Sequence, residues 1–203
     1  MPKLISEVNV LLERSDTAKR VALPRDLNPD GTVILLPRRP GLHLSGLLKY
    51  VATTSKITDR MKEVSEESYP LIWGLGIAWE EYAASYQTGM VWQPGEIDWP
   101  VIMNCDGITL NGMNRIEEFK FTRTKRKSGE QLITDKWLWM NQGMGYCLGY
   151  GLDIVRWHVC WAMEWPEPIY TQYTIQFTDD EIEGCRRMIE VNREGAIKNG
   201  YEE

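Results

Sequence analysis

The stretch from Cys105 to Lys120, CDGITLNGMNRIEEFK, constrains this chain most, because it reads as a β-hairpin whose register decides which side chains share a face. Asn111-Gly112 supplies the turn, between a strand carrying Asp106 and a return strand carrying Glu118-Phe119-Lys120. Residues two apart on a strand lie on one face, so Glu118 and Lys120 point the same way. A two-residue Asn-Gly loop pairs Leu110 with Met113 and sets Asp106 opposite Glu117, away from Glu118 and Lys120. A three-residue loop, Asn111 to Met113, pairs Leu110 with Asn114, Ile108 with Ile116 and Asp106 with Glu118. The apolar Ile108–Ile116 pair favours the second register, with the polar Thr109, Arg115 and Glu117 on the opposite face. That register asks Met113 to take the left-handed position usual in such loops, for which it is a poor residue.

In the second register Asp106, Glu118 and Lys120 form one patch. Two carboxylates on one face make a hard-oxygen site suited to Mg²⁺ or Mn²⁺, with the carbonyl of Phe119 and waters as further ligands. A divalent ion there would polarise a phosphodiester and acidify a bound water. Lys120, kept protonated by the two acids, is suited to hold that water and offset developing negative charge. A charged strand face is more often simply solvated, so the patch needs neighbours before it means chemistry.

The rest of the chain supplies elements around the hairpin. Residues 5–13 read as a short helix or a strand, DLNPDG at 26–31 as a turn, and TVILLP at 32–37 as a brief buried strand or apolar linker. Ser45 is placed to cap a short helix through about Ala52. A longer helix is expected from Tyr69 or Leu71 to Tyr86, with Pro70 in its first turn. After the hairpin come a basic, disordered-looking run (Arg123, Lys125, Arg126, Lys127) and a helix from about Thr134 to Leu148, striped by Trp137, Met140, Met144 and Leu148. Its interior glycines imply close packing on a sheet, and Gly149 and Gly151 end it. Segments 154–163 and 169–177 alternate like strands around a Trp165-Pro166-Glu167-Pro168 turn. Thr178 and Glu181 form a capping box for a last helix, with a frayed tail after about Ala196. The order predicts an α/β fold, a central mixed β-sheet flanked by helices.

Two further features sharpen the patch. Gln142 and Tyr146, four apart, share one helix face just beyond the hairpin. Glu80 precedes it on a glycine-flanked helix. Asp106-Gly107, then Glu118-Phe119-Lys120, then Gln142-Gly143-Met144-Gly145-Tyr146, resembles the PD-(D/E)XK nuclease superfamily, most of all its RecB-type and lambda-exonuclease-like branch. Gly76-Ile77-Ala78-Trp79-Glu80 is similar to that branch's first motif, and Asp135-Lys136-Trp137 through the Tyr173 strand and the last helix is similar to its phage exonucleases. The likeness covers roughly residues 68–190.

The resemblance implies a restriction-endonuclease-like core over residues 68–203, with residues 1–67 as an extension packed on or beside it. It implies Asp106 and Glu118 as metal ligands, Glu80 as a further ligand directly or through water, and Lys120 as the catalytic lysine. Gln142 and Tyr146 would orient the phosphate or strand end. The function implied is Mg²⁺- or Mn²⁺-dependent DNA hydrolysis, with an exonuclease on linear ends in phage-type recombination or DNA processing favoured. A nuclease fold that only binds DNA as a scaffold, and a structure-specific endonuclease, are the alternatives. DNA is the implied partner, with a single-strand annealing or recombination protein and self-association also open to such an enzyme. The first motif here has no histidine, unlike many RecB-type domains; His43 lies far upstream, where a loop or core role is expected, and His158 in a strand, where a structural role is expected. Iron–sulfur members carry one early and three clustered late cysteines, which Cys105, Cys147, Cys160 and Cys185 do not follow, so no cluster is expected.

Composition adds limits. The net charge of −6 argues against wholesale coating of nucleic acid but leaves room for a local track, for which Arg123, Lys125, Arg126 and Lys127 are the candidates. The cysteines lack CxxC spacing, so buried free thiols are expected rather than zinc or disulfides. No run approaches the roughly 20 apolar residues of a membrane span, and a cytoplasmic protein (host cytoplasm if phage-encoded) is expected. Most tryptophans are assigned to the core, with Trp92, near a loop, a candidate wedge.

Overall fold

Strand registry organises the fold, and the hairpin read from the sequence sits inside it. The computed structural model describes residues 1–10, 39–57, 69–84, 89–92, 94–110, 112–164 and 167–202. In chain order the elements are β1 (Lys3–Asn9), α1 (Leu44–Thr54), α2 (Tyr69–Ala84), β2 (Met90–Trp92), β3 (Ile97–Asp98), β4 (Ile102–Met103), β5 (Gly107–Thr109), β6 (Arg115–Thr122), α3 (Gly129–Asp135), α4 (Trp137–Tyr150), β7 (Ile154–Trp161), β8 (Ile169–Gln176) and α5 (Asp179–Lys198). Six strands form a mixed sheet in the order β1-β8-β7-β6-β5-β2, and β3 and β4 form a separate two-stranded ribbon. Among the described strands of this sheet only β6 and β7 run parallel, and α4 lies in the crossover between them. This is the α/β fold with a central mixed sheet flanked by helices that the sequence predicts.

Helices cover both faces. Gly143 and Gly145 let α4 approach closely: a methyl group on Gly143 would lie 2.9 Å from Trp157, and one on Gly145 would lie 2.5 Å from Leu44 of α1. This side holds the main core, including Trp157, Trp161, Tyr173, Phe177 and Ile189. Helix α2 lies on the other face, where Ala83 and Ala84 pack with Phe119 of β6 and Trp79 adds its ring. The alternation of β6 thus sends Ile116 and Glu118 toward α4, and Glu117 and Phe119 toward α2.

Several expectations are corrected. Of the two readings of residues 5–13 the strand holds, but over residues 3–9, at the sheet edge and antiparallel to β8; α1 is N-capped by His43 without a side-chain bond, so Ser45 lies inside the helix. The expected helix over 134–148 is two helices: Ser128 and Gln131 form a capping box for α3, and α4 restarts after Lys136, which sits at φ −109°, ψ 58°. The tail after Ala196 is helical to Lys198 and then docks, Tyr201 meeting Tyr50 edge-on at 5.5 Å. The described parts of residues 1–67 are therefore built into the sheet and helix layers. The 26–31 turn, the 32–37 strand, most of the charged 55–67 segment, Tyr86, Asn111 and the Trp165-Pro166 step lie outside the described residues. The Thr178–Glu181 capping box and the αL C-cap at Gly151 form as expected.

Candidate active site

The register of the hairpin is the one in which Ile108 pairs with Ile116, flanked by Gly107–Glu117 and Thr109–Arg115. Asp106 therefore lies across from Glu118. The left-handed position is taken by Gly112, at φ +90°, and not by Met113, which removes the objection to this loop. Asp106 and Glu118 are tied to each other's backbone. The Asp106 amide donates to Glu118 Oε1 at 3.2 Å, and the Phe119 amide donates to Asp106 Oδ2 at 2.8 Å. Lys120 Nζ donates to Glu118 Oε2 at 2.8 Å, and its ammonium stands 5.5 Å over the Trp157 ring.

Burial gives this cluster its electrostatics. Glu118 is fully buried and Lys120 keeps only 20 % of its side chain exposed. Desolvation, with the nearby Asp106 charge, pushes the Glu118 pKa up to about 7 even though Lys120 opposes it. Asp106 is raised as well, by burial first, against the pull of Lys120 and the Phe119 amide. Lys120 is raised too: burial alone would lower it, but Glu118, Asp106 and Glu80 hold its proton more firmly than usual. Two carboxylates, Glu118 buried and Asp106 half-buried, with one ammonium retain a deficit of positive charge, which a hard cation would make up.

Helices bring the remaining expected residues to the patch. Glu80, half-buried on α2, is close enough for its charge to act on Lys120. On α4, Gln142 Nε2 donates to the Tyr146 hydroxyl at 2.8 Å. Tyr146 is buried, and desolvation together with the Glu118 and Asp106 charges raises its pKa well above normal. Among the described residues no three His, Cys, Asp or Glu side chains converge as a ready-made metal group. The Asp106–Glu118 pair fits a hard divalent ion as a two-carboxylate site whose remaining positions go to backbone carbonyl and water. Phe119 itself is buried, its ring stacked on His158 at 4.4 Å.

The basic run divides. It is ordered, not disordered: Arg126 pairs with Glu7 of β1, Lys127 Nζ lies 2.6 Å from Asp135 Oδ2, and the Lys127 carbonyl accepts from Tyr173. Glu7 also accepts from the Gly129 amide at 2.7 Å, so one carboxylate clamps the loop at the start of α3. Arg123 and Lys125 are exposed. His43 does not stand apart as a ligand; its Nε2 meets the Arg39 carbonyl at 2.8 Å. All four cysteines are buried free thiols. Trp92 is on β2, and its side chain lies outside the described residues.

What sequence reasoning missed is the other face of β6. Thr109 and Glu117 are fully buried, not solvated, on the sheet face where α2 packs on Phe119. Glu117 Oε1 accepts from Thr109 Oγ1 at 2.6 Å and from Arg115 Nε at 2.7 Å, and Oε2 accepts from His158 Nε2 at 2.7 Å. Burial lowers the His158 pKa; for Glu117 burial acts upward, but the hydrogen bonds and charges of these partners bring it below normal. With Nε2 toward Glu117, the other ring nitrogen, Nδ1, meets the Tyr170 hydroxyl at 2.5 Å. Leu75 and Tyr82 of α2 are exposed, and the helix meets β6 through Trp79, Ala83 and Ala84.

No family model and no curated protein matches the chain. Among solved structures it is similar to one described as the crystal structure of SSO0001, at 14% identity and a TM-score of 0.46, over 78% of this chain and 76% of that one. Among the described residues no helix is long and apolar enough to cross a membrane.

Proposed function

We propose that this chain is a divalent-metal-dependent deoxyribonuclease of the PD-(D/E)XK kind, an exonuclease that hydrolyses phosphodiester bonds from the ends of linear DNA in phage-type recombination or DNA processing. The observation that carries the proposal is the placement of Asp106 across the hairpin from Glu118, with Lys120 hydrogen-bonded to Glu118 on the same face. The element order α2, β2, β5, β6, α4, β7, with its parallel β6–β7 pair, supports a restriction-endonuclease-like reading of the core.

In this reading Asp106 and Glu118 hold Mg²⁺ or Mn²⁺, with the Phe119 carbonyl and waters, and Glu80 approaches from α2 directly or through water. The ion, when bound, supplies Lewis-acid polarisation of the phosphodiester and a more acidic water. Lys120 remains an ammonium, donates to the attacking oxygen and offsets charge that grows on the phosphoryl group. Gln142 fixes the Tyr146 hydroxyl, and the pair orients a phosphate or strand end beside the acids. Arg123 and Lys125 offer charge to flanking phosphates without reading sequence.

Incubation with end-labelled linear duplex, single strand and closed circles, with Mg²⁺ or Mn²⁺ and with chelator, tests the proposal. Metal-dependent loss of linear DNA with circles intact is the expected result. Nicked circles would replace it with an endonuclease, and binding without cutting would leave a scaffold.

A further inference from the structure

The network behind the candidate site spans four strands and reaches the helix that carries Glu80. Glu117 joins β5, β6 and β7 through Thr109, Arg115 and His158. His158 continues to Tyr170 on β8, whose hydroxyl accepts from Gln172 Nε2 at 2.8 Å. The His158 ring also stacks within 17° of parallel on Phe119, the residue between Glu118 and Lys120. Its backbone serves a third purpose: the Trp79 indole N–H donates to the His158 carbonyl at 3.3 Å, while the Trp79 ring meets Tyr170 edge-on at 4.8 Å.

Trp79 immediately precedes Glu80. Strand β6 and helix α2 are therefore fastened to the same residue, one through its ring and the other through its carbonyl. Glu117 and Glu118 are neighbours on opposite faces, so any rotation of β6 that loosens Glu117 from His158 also turns Glu118 and Lys120. A buried carboxylate with three donors resists such rotation, because breaking any of them leaves charge desolvated.

We propose that His158 is a positioning residue: through Glu117 and Trp79 it holds β6 and α2 in the one relative placement that brings Glu80 to the Glu118–Lys120 pair. The inference rests on the nuclease reading, since it concerns how that site's acids are arrayed for a divalent ion. Groups that orient metal-binding side chains from behind typically change affinity or turnover by about 10- to 100-fold when altered.

The test uses the full chain and Mn²⁺, with Trp79→Phe, His158→Gln and His158→Leu. Trp79→Phe keeps an aromatic ring but loses the indole donor, and His158→Gln keeps a donor toward Glu117, whereas His158→Leu removes it. Mn²⁺ affinity is read by calorimetry, melting by heat-capacity scan, and kcat and KM on end-labelled duplex. The expected result is about a 10-fold weaker Mn²⁺ affinity and a matching fall in kcat for Trp79→Phe, with KM for duplex within about twofold. His158→Gln should lie between the parent and His158→Leu. Should His158→Leu not fold, Trp79→Phe and His158→Gln decide the matter alone. Lower melting with unchanged Mn²⁺ affinity and kcat in those two variants would reduce the network to a structural support and overturn the inference, leaving the nuclease reading intact. A parent that binds no Mn²⁺ and cuts nothing would remove that reading, and this inference with it.

Discussion

Asp106 and Glu118 face each other across the hairpin, the amide of Asp106 donating to Glu118 Oε1 at 3.2 Å and the amide beyond Glu118 donating back to Asp106 Oδ2 at 2.8 Å. Neither acid can swing away without giving up a backbone bond. The two acids are thus held together, Glu118 buried and Asp106 half-buried, and relief of their repulsion is available from Lys120, from a proton or from a cation.

The first consequence is a pH-dependent stability. The Glu118 pKa is near 7 in the fold against about 4.5 in an unfolded chain, so ionising it opposes folding. In the metal-free protein its contribution is fully present below pH 4.5 and is lost as pH rises through about 7, a change of at most about 3 kcal/mol. A divalent ion that binds the ionised pair reverses this. Melting scans from pH 5 to 8, with chelator and with Mn²⁺, should show a metal-induced rise in Tm that grows with pH. A metal effect independent of pH would contradict the assignment of Glu118.

The basic loop should split into two classes. Arg123→Ala and Lys125→Ala each lower the slope of log affinity for DNA against log salt by about one, leaving Tm unchanged. Arg126→Ala removes the Arg126–Glu7 ion pair, leaving Glu7 only the Gly129 amide of this loop, and destabilises by about 1–2 kcal/mol, with little change of slope. Filter binding over a salt series together with melting scans separates them.

Gly143 is a packing requirement. An added methyl would lie 2.9 Å from the Trp157 ring and 3.2 Å from Val155, so Gly143→Ala must push the ring that underlies Lys120. Destabilisation of about 1–3 kcal/mol by urea titration is expected. A neutral substitution would mean that α4 can lift off the sheet freely.

The site was legible where local rules and apolar patterning agreed. Ile108 and Ile116 selected the register, and the four-residue spacing of Gln142 and Tyr146 placed both on one helix face; the structure joins them by a hydrogen bond. The first turn of α3 is also within reach of local rules, since Ser128 and Gln131 have capping-box spacing. Other features depend on tertiary partners. Arg126 meets Glu7, 119 positions earlier, and Tyr201 meets Tyr50, so neither the loop's order nor the docked tail is visible locally. Glu117 reads as a surface charge in a strand; only partners across the sheet, Thr109 and a histidine 41 positions away, make it a buried hub.

The most direct measurement is single-turnover cleavage of end-labelled linear duplex in Mg²⁺ by the parent, Asp106→Ala and Lys120→Ala, with folding verified by melting. The account predicts that the parent cuts, and that each variant is slower by about 10²- to 10³-fold or more while still binding DNA. Variants that cut as fast as the parent would contradict it.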